Sequence, residues 1–235
     1  MPPDLAEGFF DRLKGMFICF DGGEGCGKST QIVRMRDRLA AIGLEVLAVR
    51  DPGSTRIGEA IRHILLNPDH LEMGMRCEML LYMAARAQMM HETIRPALAA
   101  GGVVLTDRFI SSTLAYQLGG DGLSADEIRV VGKIAVNGRL PDLTIILDMP
   151  IEQSVERVRA KFERKTPTLY GDEVTVIKDR IEQRPLEYHA KVRDNYLAQA
   201  KAEPKTHRVI PADQSPDEVA AAVWKAVELA AHERR

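Results

Sequence analysis

The ten residues from Asp21 to Thr30, DGGEGCGKST, hold the spacing with the most direct chemical reading: Gly22, four residues, then Gly27, Lys28 and Ser29. Glycines let successive backbone N–H groups turn inward on phosphate oxygens. A lysine in that position reaches the β- and γ-phosphates, and the hydroxyl after it enters the shell of a magnesium ion. Gly22, Gly23, Glu24, Gly25, Cys26, Gly27, Lys28, Ser29 and Thr30 are therefore assigned to the phosphates of a nucleotide, with Ser29 toward Mg2+. A helix beginning near Lys28 adds the positive end of its dipole. Cys26 occupies a variable position of the pattern and reads as a small residue.

Other side chains stand where ligand chemistry is expected. Thr106-Asp107-Arg108 closes an apolar run, and in an open α/β sheet the carboxyl ends of the strands face the ligand. Asp107 suits the magnesium shell, and Arg108 suits bidentate capture of a phosphate. Arg86 lies among Ala84, Ala85 and Ala87 on an otherwise apolar helix, so it needs an acceptor such as a base carbonyl or a phosphate. Tyr82 is one turn earlier on the same face; taken alone it reads as a core aromatic. None of Asn67, Asn137 and Asn195 precedes a lysine, so the Asn-Lys-x-Asp guanine reader of a regulatory GTPase is missing.

The elements that position these residues are legible as alternating patterns. Short apolar runs at Met16 to Phe20, Val46 to Val49, Val103 to Thr106, Leu143 to Asp148 and Val209 to Ala212 predict buried strands. Helical spacing predicts helices near 28–42, 55–66, 72–99, 124–137, 151–163, 175–201 and 216–232, with Ser215 before Pro216 as a helix start. Strands alternating with helices imply an α/β fold with a parallel sheet covered by helices on both faces. The least regular stretch, Lys161 to Lys178, suits a flap.

Composition is ordinary for a globular chain of 235 residues, at 45% hydrophobic and 28% charged, which argues against disordered and disulfide-framework classes. A formal net charge of −2 gives no global attraction to nucleic acid or to an anionic membrane. Three cysteines, Cys19, Cys26 and Cys77, form no C-x-x-C pair and fit a reducing, cytoplasmic setting. No zinc cluster is visible. Residues 1–15 carry Asp4, Glu7 and Asp11 without an apolar core, so they read as a short extension preceding a single domain at 16–235. No run approaches the length of a membrane-spanning helix.

The chain resembles the thymidylate kinases of the nucleoside monophosphate kinase group. Five blocks carry the resemblance in order: FDGGEGCGKSTQ, the DPGST turn from Asp51 to Thr55, EMLLYMAARAQ with IRPALAAG, TDRFISSTLAYQ, and RLPDLTIILD. It implies a three-layer P-loop kinase fold with a five-stranded parallel sheet and a helical lid at about 157–181. It also implies transfer of the γ-phosphoryl group of ATP to dTMP with Mg2+, commonly in a homodimer. By matched position Tyr82 stacks on thymine, Arg86 reads the base, Arg108 holds the acceptor phosphate, Thr113 and Gln117 approach the base, and Tyr116 packs on the sugar. Glu24 contacts the acceptor sugar or organises an arginine, and Asp51 stands where the family has a glutamate. Phe109 replaces a common tyrosine, and Ser54 a glycine.

Phosphoryl transfer is mostly positioning and charge stabilisation, to which one arginine contributes roughly 10³–10⁵ in rate. The phosphate loop holds Glu24 rather than an arginine, so the resemblance points to the lid, where Arg157, Arg159, Lys161, Arg164, Lys165 and Arg180 are candidates. Arg164 and Arg180 are selected, the latter within an Asp179-Arg180-Ile181-Glu182 block shared with the family. The competing expectations are another small-molecule kinase on the same fold, or a nucleotide-dependent regulatory ATPase.

Overall fold

In the computed structural model, five strands lie in one parallel sheet: β1 (Phe17–Gly22), β2 (Val46–Arg50), β3 (Val103–Asp107), β4 (Leu143–Asp148) and β5 (His207–Pro211). Their spatial order is β2-β3-β1-β4-β5. The structure describes residues 8–164 and 179–234, with side chains described to residue 160 and again from 179.

The inner strands β1, β3 and β4 are apolar on both faces, as a parallel sheet covered on both sides requires, whereas β5 at the edge carries His207 and Arg208. On β1, Ile18 and Phe20 enter one core cluster, while Phe17 and Cys19 enter the other. The first face is covered by α2 (Lys28–Ala41) and α10 (Pro216–Glu233). The second is covered by α4 (Met75–Met89), α6 (Ile110–Tyr116) and α7 (Ala125–Ala135). This is the three-layer arrangement the strand and helix patterns predict. Among the described residues, no helix is long and apolar enough to cross a membrane.

Helix starts follow their capping chemistry. Ser215 and Glu218 form a reciprocal cap at α10 with Pro216 in the first turn, and Ser124 and Glu127 do the same at α7. Thr55 caps α3 (Arg56–Leu66) by accepting from the Gly58 N–H.

Three departures from the predicted elements have physical causes. The segment predicted as one helix from 72 to 99 is α4, a π-helical turn at Met90–Ile94 and α5 (Arg95–Ala99). Pro96 has no N–H to give the preceding turn, and the wider turn accommodates it. The helix predicted at 175–201 is α9 (Leu186–Ala202), with Pro185 as its N-cap. The extension at 1–15 contributes α1 (Phe9–Leu13), whose Phe9 meets Trp224 of α10 edge-on at 6.1 Å. A further helix, α8 (Ile151–Arg164), leads from β4 into the predicted lid; residues 165–178 of that lid, with Lys165, lie outside the described residues.

Candidate active site

Because β1 is the central strand, the loop that leaves it opens at the middle of the sheet's carboxyl edge. Gly22 has φ +132°, and a Cβ there would fall 2.4 Å from the Leu147 carbonyl oxygen. Only glycine lets the loop turn that close to β4. Lys28 folds back over the loop, its Nζ donating to the carbonyls of Gly23 at 2.8 Å and Gly22 at 3.2 Å. A phosphate has to attract this ammonium away from two neutral acceptors, an exchange that charge favours.

Ser29 and Thr30 are exposed on the first turn of α2. Ser29 Oγ donates to Asp107 Oδ2 at 3.4 Å, so the two residues assigned to the metal are neighbours. Both offer oxygen. Among the described residues no cluster of three or more His, Cys, Asp and Glu is arranged for a metal ion. Mg2+ does not require one, since it is usually held by one or two protein oxygens, substrate phosphates and water. The donor set fits the ion. Cys26 is buried with its thiol on the Gly23 carbonyl at 3.1 Å, and burial pushes its pKa up.

Arg108 follows β3 with a left-handed backbone, φ +72°. Its guanidinium pairs with Glu24 and donates to the hydroxyls of Tyr116 at 3.0 Å, Tyr196 at 3.1 Å and Ser112 at 3.2 Å, and to the Gly22 carbonyl at 3.2 Å. Tyr116 also donates to Glu24 at 3.2 Å. Burial acts to raise the Glu24 pKa, but Arg108, Lys28 and the Tyr116 hydroxyl outweigh it and hold the carboxyl at about 2. Arg108 is thus held at the junction of the phosphate loop, α6 and α9.

Arg86 is 1% exposed on α4. It pairs with Asp51 and donates to Thr113 Oγ1 at 3.2 Å and to the Phe109 carbonyl at 3.1 Å. Asp51 Oδ1 is buried and makes no hydrogen bond; burial raises its pKa against the opposing pull of Arg86. The structure therefore brings Asp51, Arg86 and Thr113 together. Tyr82 is half-buried; burial, then Glu78, raises its pKa, and Arg108, Asp179 and Arg62 are near enough to act on it. Phe109 packs edge-on against Phe17 at 5.0 Å.

The lid arginines are distributed differently. Arg180 is buried, paired with Glu78, and donates to the Leu65 carbonyl at 3.1 Å. Among the described residues its contacts are to Leu65, Leu66, Met73 and Glu78, away from the phosphate loop. Gln117 also donates to Glu78, at 2.7 Å. Arg157 donates to the Ala212 carbonyl at 3.2 Å. The side chains of Lys161 and Arg164 lie outside the described residues.

A buried relay behind Arg108 was missed at the level of sequence. Asp21 accepts from Ser111, Ser112, Cys19 at 3.2 Å and Tyr196 at 3.0 Å. Ser111 and Ser112, in the first turn of α6, both serve this carboxylate. The available signals were an aspartate at the end of an apolar run and the serine pair Ser111-Ser112 that follows Phe109 and Ile110. Glu78, among Met79, Leu80 and Leu81 on α4, carried the same kind of signal.

A family model described as thymidylate kinase matches residues 20–223. A thymidylate kinase of Desulforudis audaxviator is 38% identical over 223 residues, covering 94% of both chains. One of Halothermothrix orenii is 42% identical over 207 residues, covering 88% of this chain and 93% of that one. The crystal structure of thymidylate kinase from Ehrlichia chaffeensis superposes with a TM-score of 0.70 at 27% identity, covering 90% of this chain and 98% of the other. The match runs over most of the sequence, and the chain belongs to the thymidylate kinase family.

Proposed function

We propose that this chain transfers the γ-phosphoryl group of ATP to dTMP, forming ADP and dTDP for DNA precursor supply. The observation that carries the reading is the position of Arg108. Its backbone follows Asp107 directly, its guanidinium touches Glu24 in the phosphate loop, and its hydroxyl partners lie on the acceptor side. One cation can therefore hold an acceptor phosphate in line with a donor on the loop.

In this reading Lys28 leaves the Gly22 and Gly23 carbonyls for the β- and γ-phosphates. Backbone N–H groups from Gly23 to Thr30 surround the donor phosphates. Mg2+ at Ser29 and Asp107 offsets charge on the phosphate oxygens when bound. The attacking oxygen is already anionic near neutral pH, so positioning matters more than a strong base, and Glu24 organises Arg108. Tyr82 packs on the thymine ring, with Arg86, Thr113 and Gln117 along its edge, Asp51 orienting Arg86, and Tyr116 against the sugar. Arg164 is the lid cation the sequence nominates for transition-state charge, while the contacts of Arg180 suit anchoring.

We place the protein in the cytoplasm on its three free thiols. A homodimer is supported by apolar side chains exposed on packed helices: Ile57 and Ile64 on α3, Leu80 on α4, and Val130 and Ile134 on α7. The test is product identity. Incubation with MgATP and dTMP is expected to give ADP and dTDP in equal amounts by anion-exchange chromatography. ADP without dTDP overturns the assignment.

A further inference from the structure

Glu78 is a buried carboxylate with three side-chain donors. It stands on α4 one turn before Tyr82 and is 0% exposed. It accepts from Arg180, from Arg184 at 2.6 Å and from Gln117 at 2.7 Å. Arg180 and Arg184 belong to the segment that returns from the lid to α9. Gln117 ends α6, next to Tyr116.

The contacts continue outward. Arg180 donates from its backbone N–H to Leu66 at 3.3 Å and from Nε to Leu65 at 3.1 Å, tying the same segment to the end of α3. Arg184 binds the Tyr188 hydroxyl, which donates to the Tyr116 carbonyl at 2.7 Å. One carboxylate thus joins α3, α4, α6 and the returning limb of the lid.

Packing alone does not call for this arrangement. A leucine or methionine would fill the same space on α4, and buried ion pairs are commonly no more stabilising than apolar replacements. What the carboxylate supplies is direction, since two guanidiniums meet one acceptor in a single geometry. Without it two cations lose their buried counter-charge, and the lid limb and the Tyr82 turn lose their common reference.

We infer that Glu78 is a positioning residue that fixes the root of the lid to the thymine-side wall through Arg180 and Arg184. The inference deepens the proposed reading and rests on it. Glu78 touches neither phosphate nor base in this role. It sets the distance between the Tyr82 face of α4 and the limb carrying Asp179 to Arg184, so its loss is felt in acceptor binding before donor binding.

Steady-state kinetics of the full chain with Glu78→Gln test this. The KM for dTMP is expected to rise about tenfold or more, as for loss of a supporting partner behind a binding group, while the KM for ATP stays within about twofold. A purely structural role would lower Tm and leave both KM values of the folded enzyme unchanged. Arg184→Gln is expected to shift the dTMP KM in the same direction, Arg184→Lys to recover most of it, and Glu78→Gln/Arg184→Gln to be no worse than Glu78→Gln alone. If Glu78→Gln does not fold, the Arg184 pair decides. A dTMP KM unchanged in Arg184→Gln, or equal losses in Arg184→Gln and Arg184→Lys, overturns the inference. The wild-type protein is assayed in parallel: failure to turn over dTMP refutes the acceptor assignment, whereas wild-type turnover with unmoved variant KM values refutes only the anchor.

Discussion

Ser29 Oγ lies 3.4 Å from Asp107 Oδ2 across 78 residues of sequence, because β1 and β3 are neighbours and their carboxyl ends meet. Two oxygen donors at that edge make metal affinity the most local consequence. Ser29→Ala is expected to raise the Mg2+ concentration for half-maximal activity by about 10–100-fold. Titration of activity with Mg2+ at fixed ATP checks it, and an unchanged midpoint removes Ser29 from the shell.

Arg86 has a structural and a recognition consequence. It is the charged partner of a buried carboxylate, so Arg86→Ala is expected to destabilise the fold by about 3–5 kcal/mol, measured by urea unfolding. Asp51→Asn in the same chain should recover part of the loss, because no uncompensated charge remains. Under conditions where Arg86→Ala is folded, the KM for dTMP should rise more than that for ATP. Equal losses would count against base reading.

The Glu24 pair has a defined pH signature. Its carboxyl is held at about 2 against an ordinary 4.5, so folding favours the ionised form. The contribution is fully present above about pH 4.5 and is lost as pH falls toward about 2. Glu24→Gln should therefore flatten the acid limb of stability in that window and leave stability above it parallel to wild type. An unchanged acid limb, read by thermal unfolding across pH, would contradict the pairing.

Gly25 separates backbone strain from loop geometry. It has φ +69°, and an added Cβ would lie 2.8 Å from the Ser154 carbonyl oxygen on α8, whereas Gly43, with φ +86°, has nothing within 4 Å. Both substitutions to alanine carry left-handed strain of about 1–2 kcal/mol. Only Gly25→Ala also forces the phosphate loop away from α8, so it alone should weaken ATP binding. Calorimetric titration with MgATP distinguishes them.

Much of the fold was legible because β1, β3 and β4 are apolar on both faces and their runs are short. Strand ends were less so: Asp21 and Gly22 continue β1 past Phe20 because ladder bonds to β4 extend to Leu147. α6 was unreadable as a helix, since ISSTLAY is buried throughout and shows no polar face. In the site, the phosphate loop could be found from spacing alone. Asp51 with Arg86, Asp21 with Tyr196, and Glu78 with Arg180 could not be paired, because each joins residues at least 35 apart through tertiary packing.

The measurement that tests the central claim most directly is kcat/KM for dTMP against dUMP, AMP and GMP with MgATP as donor. The Tyr82, Arg86 and Thr113 wall predicts the highest value for dTMP, with AMP and GMP lower by at least about 100-fold, as expected when buried polar groups are left unmatched. A preference for AMP or GMP, or ADP release independent of any acceptor, would contradict it.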